Sequence, residues 1–213
     1  QFLAHIREVD AIIQVVRCFE DEDIVHVSGK IDPLDDIQVI NLELILADVA
    51  TLEKRIERTT KAAKSDKKLE GELELQRRLL AHLQAGKLAS RLPVTDDEKK
   101  LLKSYQLLTT KPMLFCCNMA EEEAGRADEN PWVQKVRAYA ESEGFETVAI
   151  SAKVESEIAQ LDKEEKQMFL EELGLKESGL DRLIHAAYHL LGLGTYLTAG
   201  EKEVRAWTFQ RGW

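Results

Sequence analysis

The chain has 213 residues, 44% hydrophobic and 32% charged, with 29 Lys or Arg against 39 Asp or Glu for a formal net charge of −10. That length is enough to bury a real core, and the composition is that of a globular chain carrying long exposed helices. No apolar stretch approaches the roughly 20 residues of a membrane span, and no basic region followed by an apolar one opens the chain, so it reads as cytoplasmic with no membrane partner.

The elements follow in chain order. Ala11–Cys18 reads as a buried strand of a parallel sheet. Leu42, Ile45, Val49, Leu52, Ile56, Thr59 and Ala63 recur at spacings of three and four, as do Leu69, Leu73, Gln76, Leu80 and Leu83, which is the seam of a coiled coil. The two helices join near Ser65-Asp66 as an antiparallel hairpin. Residues 51–91 hold eleven Lys or Arg against six acids, so this segment is net +5 while the rest of the chain sums to −15. The basic candidates for RNA contact are Lys54, Arg55, Arg58, Lys61, Lys64, Lys67 and Lys68, with Lys61, Lys64, Lys67 and Lys68 toward the hairpin tip. Such an arm meets a phosphate backbone, or it is the solvated outside of a helical hairpin. A third helix is predicted after Pro93, with Thr95 as N-cap and Glu98 closing a capping box, running through Leu101, Leu102, Tyr105 and Leu108.

Two apolar runs then end in polar tips. Met113-Leu114-Phe115-Cys116-Cys117 leads into Asn118-Met119-Ala120-Glu121, and Thr147-Val148-Ala149-Ile150 leads into Ser151-Ala152-Lys153. Strands that end this way make an open α/β binding edge, because ligands sit outside the carboxyl ends of parallel strands. Between them Asn130–Gly144 reads as a helix, with Pro131 suited to its first turn and Gly144 to its stop. Leu180–Leu191 is a final amphipathic helix, in which His185 and His189 share a face. Without a third ligand spaced nearby they read as surface residues rather than metal ligands. Met113, Met168, Phe145 and Phe169 are assigned to core packing. Cys18, Cys116 and Cys117 form no ligand-spaced set, and neighbours on a strand point to opposite faces, so they read as reduced core residues.

The first tip resembles the base-reading Asn-Lys-x-Asp motif of P-loop GTPases with two positions altered, and the second resembles their Ser-Ala-Lys motif. Glu121 stands where the motif has Asp, and Met119 where it has Lys. The resemblance becomes specific in Gln1-Phe2-Leu3-Ala4-His5-Ile6-Arg7-Glu8-Val9-Asp10-Ala11-Ile12, in Val16-Arg17-Cys18-Phe19-Glu20, and in His26-Val27-Ser28-Gly29-Lys30-Ile31-Asp32-Pro33-Leu34-Asp35-Asp36-Ile37. These resemble the YchF type of the Obg-related P-loop NTPases, from residue 1 to 213. The resemblance implies a Rossmann-like α/β nucleotide-binding domain at residues 1–48 and 111–193, discontinuous around an inserted helical coiled-coil domain at 49–110. Residues 194–213 resemble the opening hairpin of a β-grasp TGS domain, carried by Gly194-Thr195-Tyr196-Leu197-Thr198-Ala199-Gly200 and Val204-Arg205-Ala206-Trp207-Thr208-Phe209.

No Gly-x-x-x-x-Gly-Lys-Ser/Thr occurs in the chain, so nothing in it cradles the β- and γ-phosphates. The resemblance places that loop before the residue matching Gln1, and the chain is expected to be an internal piece. It also implies that the whole protein hydrolyses ATP or GTP with Mg²⁺, the metal ligands lying outside this chain, and associates with the ribosome. Asn118 and Glu121 are expected to read the base edge, Met119 to pack on the base, and Ser151, Ala152 and Lys153 to bound the pocket, with no catalytic residue in this chain. An ordinary GTP-specific GTPase and a ribosome- or RNA-binding scaffold with a vestigial pocket are the other readings.

Overall fold

The computed structural model describes residues 2–21 and 31–212. The quoted stretch His26–Lys30 therefore lies outside the described residues. The chain divides into a helical unit, residues 1–10 and 37–111, and an α/β unit, residues 11–36 and 112–213.

In chain order the elements are α1 (Phe2–Glu8), β1 (Ile12–Cys18), α2 (Pro33–Ala63), α3 (Glu70–Gln84), α4 (Asp96–Tyr105), β2 (Met113–Met119), α5 (Pro131–Glu143), β3 (Glu146–Ile150), α6 (Ala152–Ile158), α7 (Lys163–Glu172), α8 (Gly179–Leu190), β4 (Leu193–Ala199) and β5 (Val204–Gln210). The α/β unit holds a parallel sheet of order β1-β2-β3, and β4 and β5 form a separate antiparallel pair.

Strand β2 is the centre of the sheet. Met113, Leu114, Phe115, Cys116 and Cys117 are all essentially inaccessible, as a continuous apolar run covered on both faces requires. Phe115 packs edge-on to Phe145, with centroids 5.6 Å apart, and tilted against Tyr139. The expectation of a fully buried first strand needs correction. Ile13 and Val15 are 40% and 66% exposed, because they point to one face of β1 that the described residues leave open, while Gln14, Val16 and Cys18 on the other face are buried.

Helix α5 begins and ends as its sequence predicts. Asn130 accepts from the amides of Trp132 and Val133, Pro131 occupies the first turn, and Gly144 stops the helix at φ +62°. Helix α7 has a capping box between Asp162 and Glu165. It buries Leu170 with Val154 and Ile158 of α6. Met168, assigned to the core from sequence, is 70% exposed on the opposite face of α7. Gly125 is obligatory where the chain passes this cluster, since at φ +84° a Cβ would stand 2.5 Å from the Leu173 carbonyl oxygen.

In the helical unit, α4 carries the expected capping box of Thr95 and Glu98. The helix stops at Gln106, φ +52°, so Leu108 falls in a following 3-10 turn rather than in the helix. The hairpin turn lies at residues 64–66, and the Asp66 carboxylate caps the Lys68 amide. Ile45, Leu52, Thr59, Leu73, Gln76 and Leu83 of the expected seam are buried. Leu42 is instead 52% exposed, while Leu44, Leu75 and Leu79 are buried. Helix α4 packs on a second face of α3, which a two-helix seam does not anticipate.

Asp48 ties α2 to the end of this unit. Its carboxylate, fully buried, accepts from the Leu108 amide (2.8 Å), the Thr109 amide (2.8 Å) and the Thr109 hydroxyl (2.7 Å). Burial pushes its carboxyl above the usual range against the opposing pull of these donors and of Arg7. The folded chain therefore holds this proton more tightly than the unfolded one, and the group's contribution to stability declines as pH rises through its folded value. Asp48→Ala leaves three donors unsatisfied and is expected to lower stability by about 3 kcal/mol, read as an earlier urea midpoint; an unchanged midpoint contradicts this.

Candidate functional site

The parallel register sets Asn118 opposite Ile150, so the segments leaving β2 and β3 emerge side by side at the carboxyl edge of the sheet. There the Asn118 Oδ1 accepts a hydrogen bond of 2.9 Å from the Ala152 amide. The chain after β2 makes a 3-10 turn at Glu121–Glu123, which brings Glu121 into an ion pair with Lys153. The hydrogen bond and negative charge of Glu121 hold the Lys153 ammonium pKa above its ordinary value. With the Lys153 side chain 68% exposed and that of Glu121 33% exposed, this pair is screened by solvent and easily exchanged for a ligand contact.

These groups border a cavity of about 350 Å³. Of the residues expected at the site, Asn118, Met119, Glu121 and Lys153 line it. Met119 is 4% exposed and Ser151 3% exposed. The Ser151 hydroxyl has no hydrogen-bond partner among the described residues, and Ala152 contributes the amide that Asn118 holds.

The tip of β1 completes the wall with Phe19, Glu20 and Asp21, to which no site role was given from sequence. Cys18 pairs in register with Met119, so the residues after it reach the same edge, and a third strand ending there was the signal available. The Arg17 guanidinium stacks 4.9 Å from the Phe19 ring centroid and donates to the Phe19 carbonyl at 3.1 Å. Asn130 is a second residue that sequence reading placed only at the start of a helix. Buried at 1% exposure, its Nδ2 donates to the Cys18 carbonyl (3.0 Å) and to Glu123 (2.8 Å). One amide thus fixes the end of β1, the turn after β2 and the start of α5.

The electrostatics of the cavity are one-sided. Among the described residues, Glu20, Asp21, Glu121 and Glu122 face a single lining cation, Lys153. Such a wall suits a neutral group rich in N–H donors and repels phosphate. Behind it the three cysteines are free and buried. The Cys18 thiol is pushed far up by its hydrogen bond to Cys117 and by burial, and burial pushes Cys116 up to about 11, so neither serves as a nucleophile near neutral pH. His185 and His189 each face an acid, Glu177 at 3.6 Å and Glu146 at 3.3 Å. Among the described residues no group of three or more His, Cys, Asp or Glu is placed to hold a metal ion.

The basic candidates fall into two places in the helical unit. Lys61, Lys64, Lys67 and Lys68 stand near the hairpin turn, with Lys61 paired to Glu57 at 2.6 Å. Lys54, Arg55 and Arg58 lie farther back along α2, where they line a different cavity with Arg7. No described helix is long and apolar enough to cross a membrane.

No family model matches the chain. Along all 213 residues it is 55% identical to the ribosome-binding ATPase YchF of Bacillus subtilis and 49% identical to that of Haemophilus influenzae. The YchF GTPase of Schizosaccharomyces pombe has a similar structure, with TM-score 0.88 at 31% identity over 99% of this chain. The chain spans 58% of the length of each of these relatives.

Asn118→Ala is expected to free the Ala152 amide at a cost of about 1 kcal/mol, seen as roughly fivefold faster hydrogen exchange there with β2 and β3 unchanged. Unaltered exchange at Ala152 would show that the two tips are held by something else.

Proposed function

The chain is of the YchF type over its whole length, and from that premise we propose that the complete protein is a ribosome-associated NTPase that binds and hydrolyses ATP, and also GTP, to the nucleoside diphosphate and phosphate. In this reading residues 1–48 and 111–193 form the nucleotide-binding domain, 49–110 an inserted docking domain, and 194–213 the start of a TGS domain. Asn118, Met119 and Glu121 read the base, Ser151 and Ala152 back the pocket, and Lys153 lines it. Mg²⁺ would neutralise the phosphates, with ligands expected outside this chain.

The single observation that carries adenine as the preferred base is the Asn118–Ala152 hydrogen bond. Guanine shows a carbonyl acceptor where adenine shows an amine donor. With its amide hydrogen already given to Asn118, Ala152 has no donor left for a guanine carbonyl; the Glu121 carboxylate, acceptor-only, can take an amine of either base, so the discrimination rests on the missing donor. A site built around one donor pattern rejects the other because mismatched polar groups stay unpaired. Met119 supplies an apolar surface without the charge of a lysine.

Equilibrium binding of fluorescent ATP and GTP to the complete protein, at fixed Mg²⁺ and salt, tests this. Wild type should prefer ATP, and Met119→Lys combined with Glu121→Asp should swing the ratio toward GTP by about tenfold, or ~1.4 kcal/mol. If both forms bind GTP better, the protein is an ordinary guanine-specific GTPase; if neither nucleotide binds, the scaffold reading takes its place.

A further inference from the structure

Ser151, Ala152 and Lys153, which bound the proposed base pocket, fall between two hydrogen bonds to a single element, the start of α8. On the strand side the Arg182 guanidinium, one turn into α8, donates to the Ala149 carbonyl of β3 at 2.9 Å. On the helix side the Glu155 carboxylate of α6 accepts from the Gly179 amide, the first of α8, at 2.7 Å. Residues 150–154 are thus stapled to α8 at both ends. Glu155 itself is not among the residues that line the cavity.

The start of α8 is a firm anchor. Ser178, 2% exposed, caps the helix by accepting from the Asp181 amide at 3.1 Å, and its hydroxyl donates to the Asp181 carboxylate at 2.7 Å. Lys166 of α7 donates to the same carboxylate at 3.2 Å. Gly179 brings the backbone so near its neighbours that a Cβ there would stand 2.8 Å from Ile150 Cγ2 and 2.9 Å from Glu155 Oε1. An amide at a helix N-terminus has no partner within its own helix and sits at the positive end of the helix dipole, so a carboxylate is a strong acceptor for it.

The other ties of this segment depend on where α6 begins. Lys153 reaches Glu121 through an ion pair that solvent screens. Asn118 meets the Ala152 amide at 2.9 Å because the first turn of α6 stands where it does. Glu155, in that same turn, sets the placement by joining it to α8.

We propose that Glu155 is a positioning residue for the base pocket. By clamping α6 to the Gly179 amide it holds Ser151, Ala152 and Lys153 in the shape that receives the nucleotide base. The inference rests on the assignment of this edge to a base and deepens it. Without the clamp the pocket residues are chemically intact but adopt their binding shape less often, and affinity falls by that fraction.

The test measures ATP binding and steady-state hydrolysis by the complete protein for wild type, Glu155→Gln, Glu155→Asp and Glu155→Ala, with hydrogen exchange read at Ala152 and Gly179. Gln offers an acceptor oxygen at the same reach, Asp is one methylene short, and Ala has no acceptor. A binding shape populated about one-fifth as often should raise the dissociation constant and KM for ATP about fivefold in the Asp and Ala variants, with kcat little changed. Exchange at Gly179 and Ala152 should quicken together in those two, and Glu155→Gln should keep both affinity and protection near wild type. Thermal melts check folding, and if the Ala variant does not fold, the contrast between Gln and Asp decides. Wild-type affinity in the Asp variant beside faster exchange at Gly179 would mean that the bond stabilises α8 alone, and it overturns the proposal. Equal weakening by Gln and Asp, or a fall in kcat at unchanged KM, overturns it too; all these outcomes leave the base-pocket reading standing. No nucleotide binding by wild type overturns that reading and the proposal with it.

Discussion

The cavity wall at the carboxyl edge of the α/β sheet depends on one hydrogen bond between the ends of two strands. Segments that leave the carboxyl edge of a parallel sheet otherwise move independently, each with backbone groups to satisfy. By accepting from the Ala152 amide, Asn118 couples the exit of β2 to that of β3 and places Glu121 beside Lys153. Asn130 does the same for β1, the turn after β2 and α5. With both in place, three strand ends and two turns form one wall, and that wall is acidic and donor-poor.

Charge is what separates the two candidate surfaces. In the α/β unit four carboxylates and one ammonium line a cavity suited to a neutral base. In the helical unit four cations and, among the described residues, no acid line another. The sequence's net +5 over residues 51–91 against −15 elsewhere thus resolves into local fields of opposite sign.

Much of this was legible in the residues because it is local. Thr95 with Glu98, and Asn130 with Pro131 and Gly144, announce their helices through short-range hydrogen bonds that need no tertiary partner. The two polar tips were legible for the same reason, as the abrupt end of an apolar run. What failed was non-local. The heptad reading put Leu42 inside and left out Leu75 and Leu79, since α3 buries two faces, one of them against α4. Val15 follows the apolar pattern of a covered strand yet is exposed, because what covers a strand is not written in it. Phe19 and Asp21 joined the site only through the register of β1 on β2, and Arg7 joined Lys54 and Arg58 across more than forty residues of sequence.

The most direct measurement is a crystal structure of the complete protein with a non-hydrolysable ATP analogue. The predicted arrangement has the adenine amine donating to Glu121, the ring against Met119, and the Asn118–Ala152 hydrogen bond intact. Adenine seated away from this wall, with Glu121 still paired to Lys153, would contradict it.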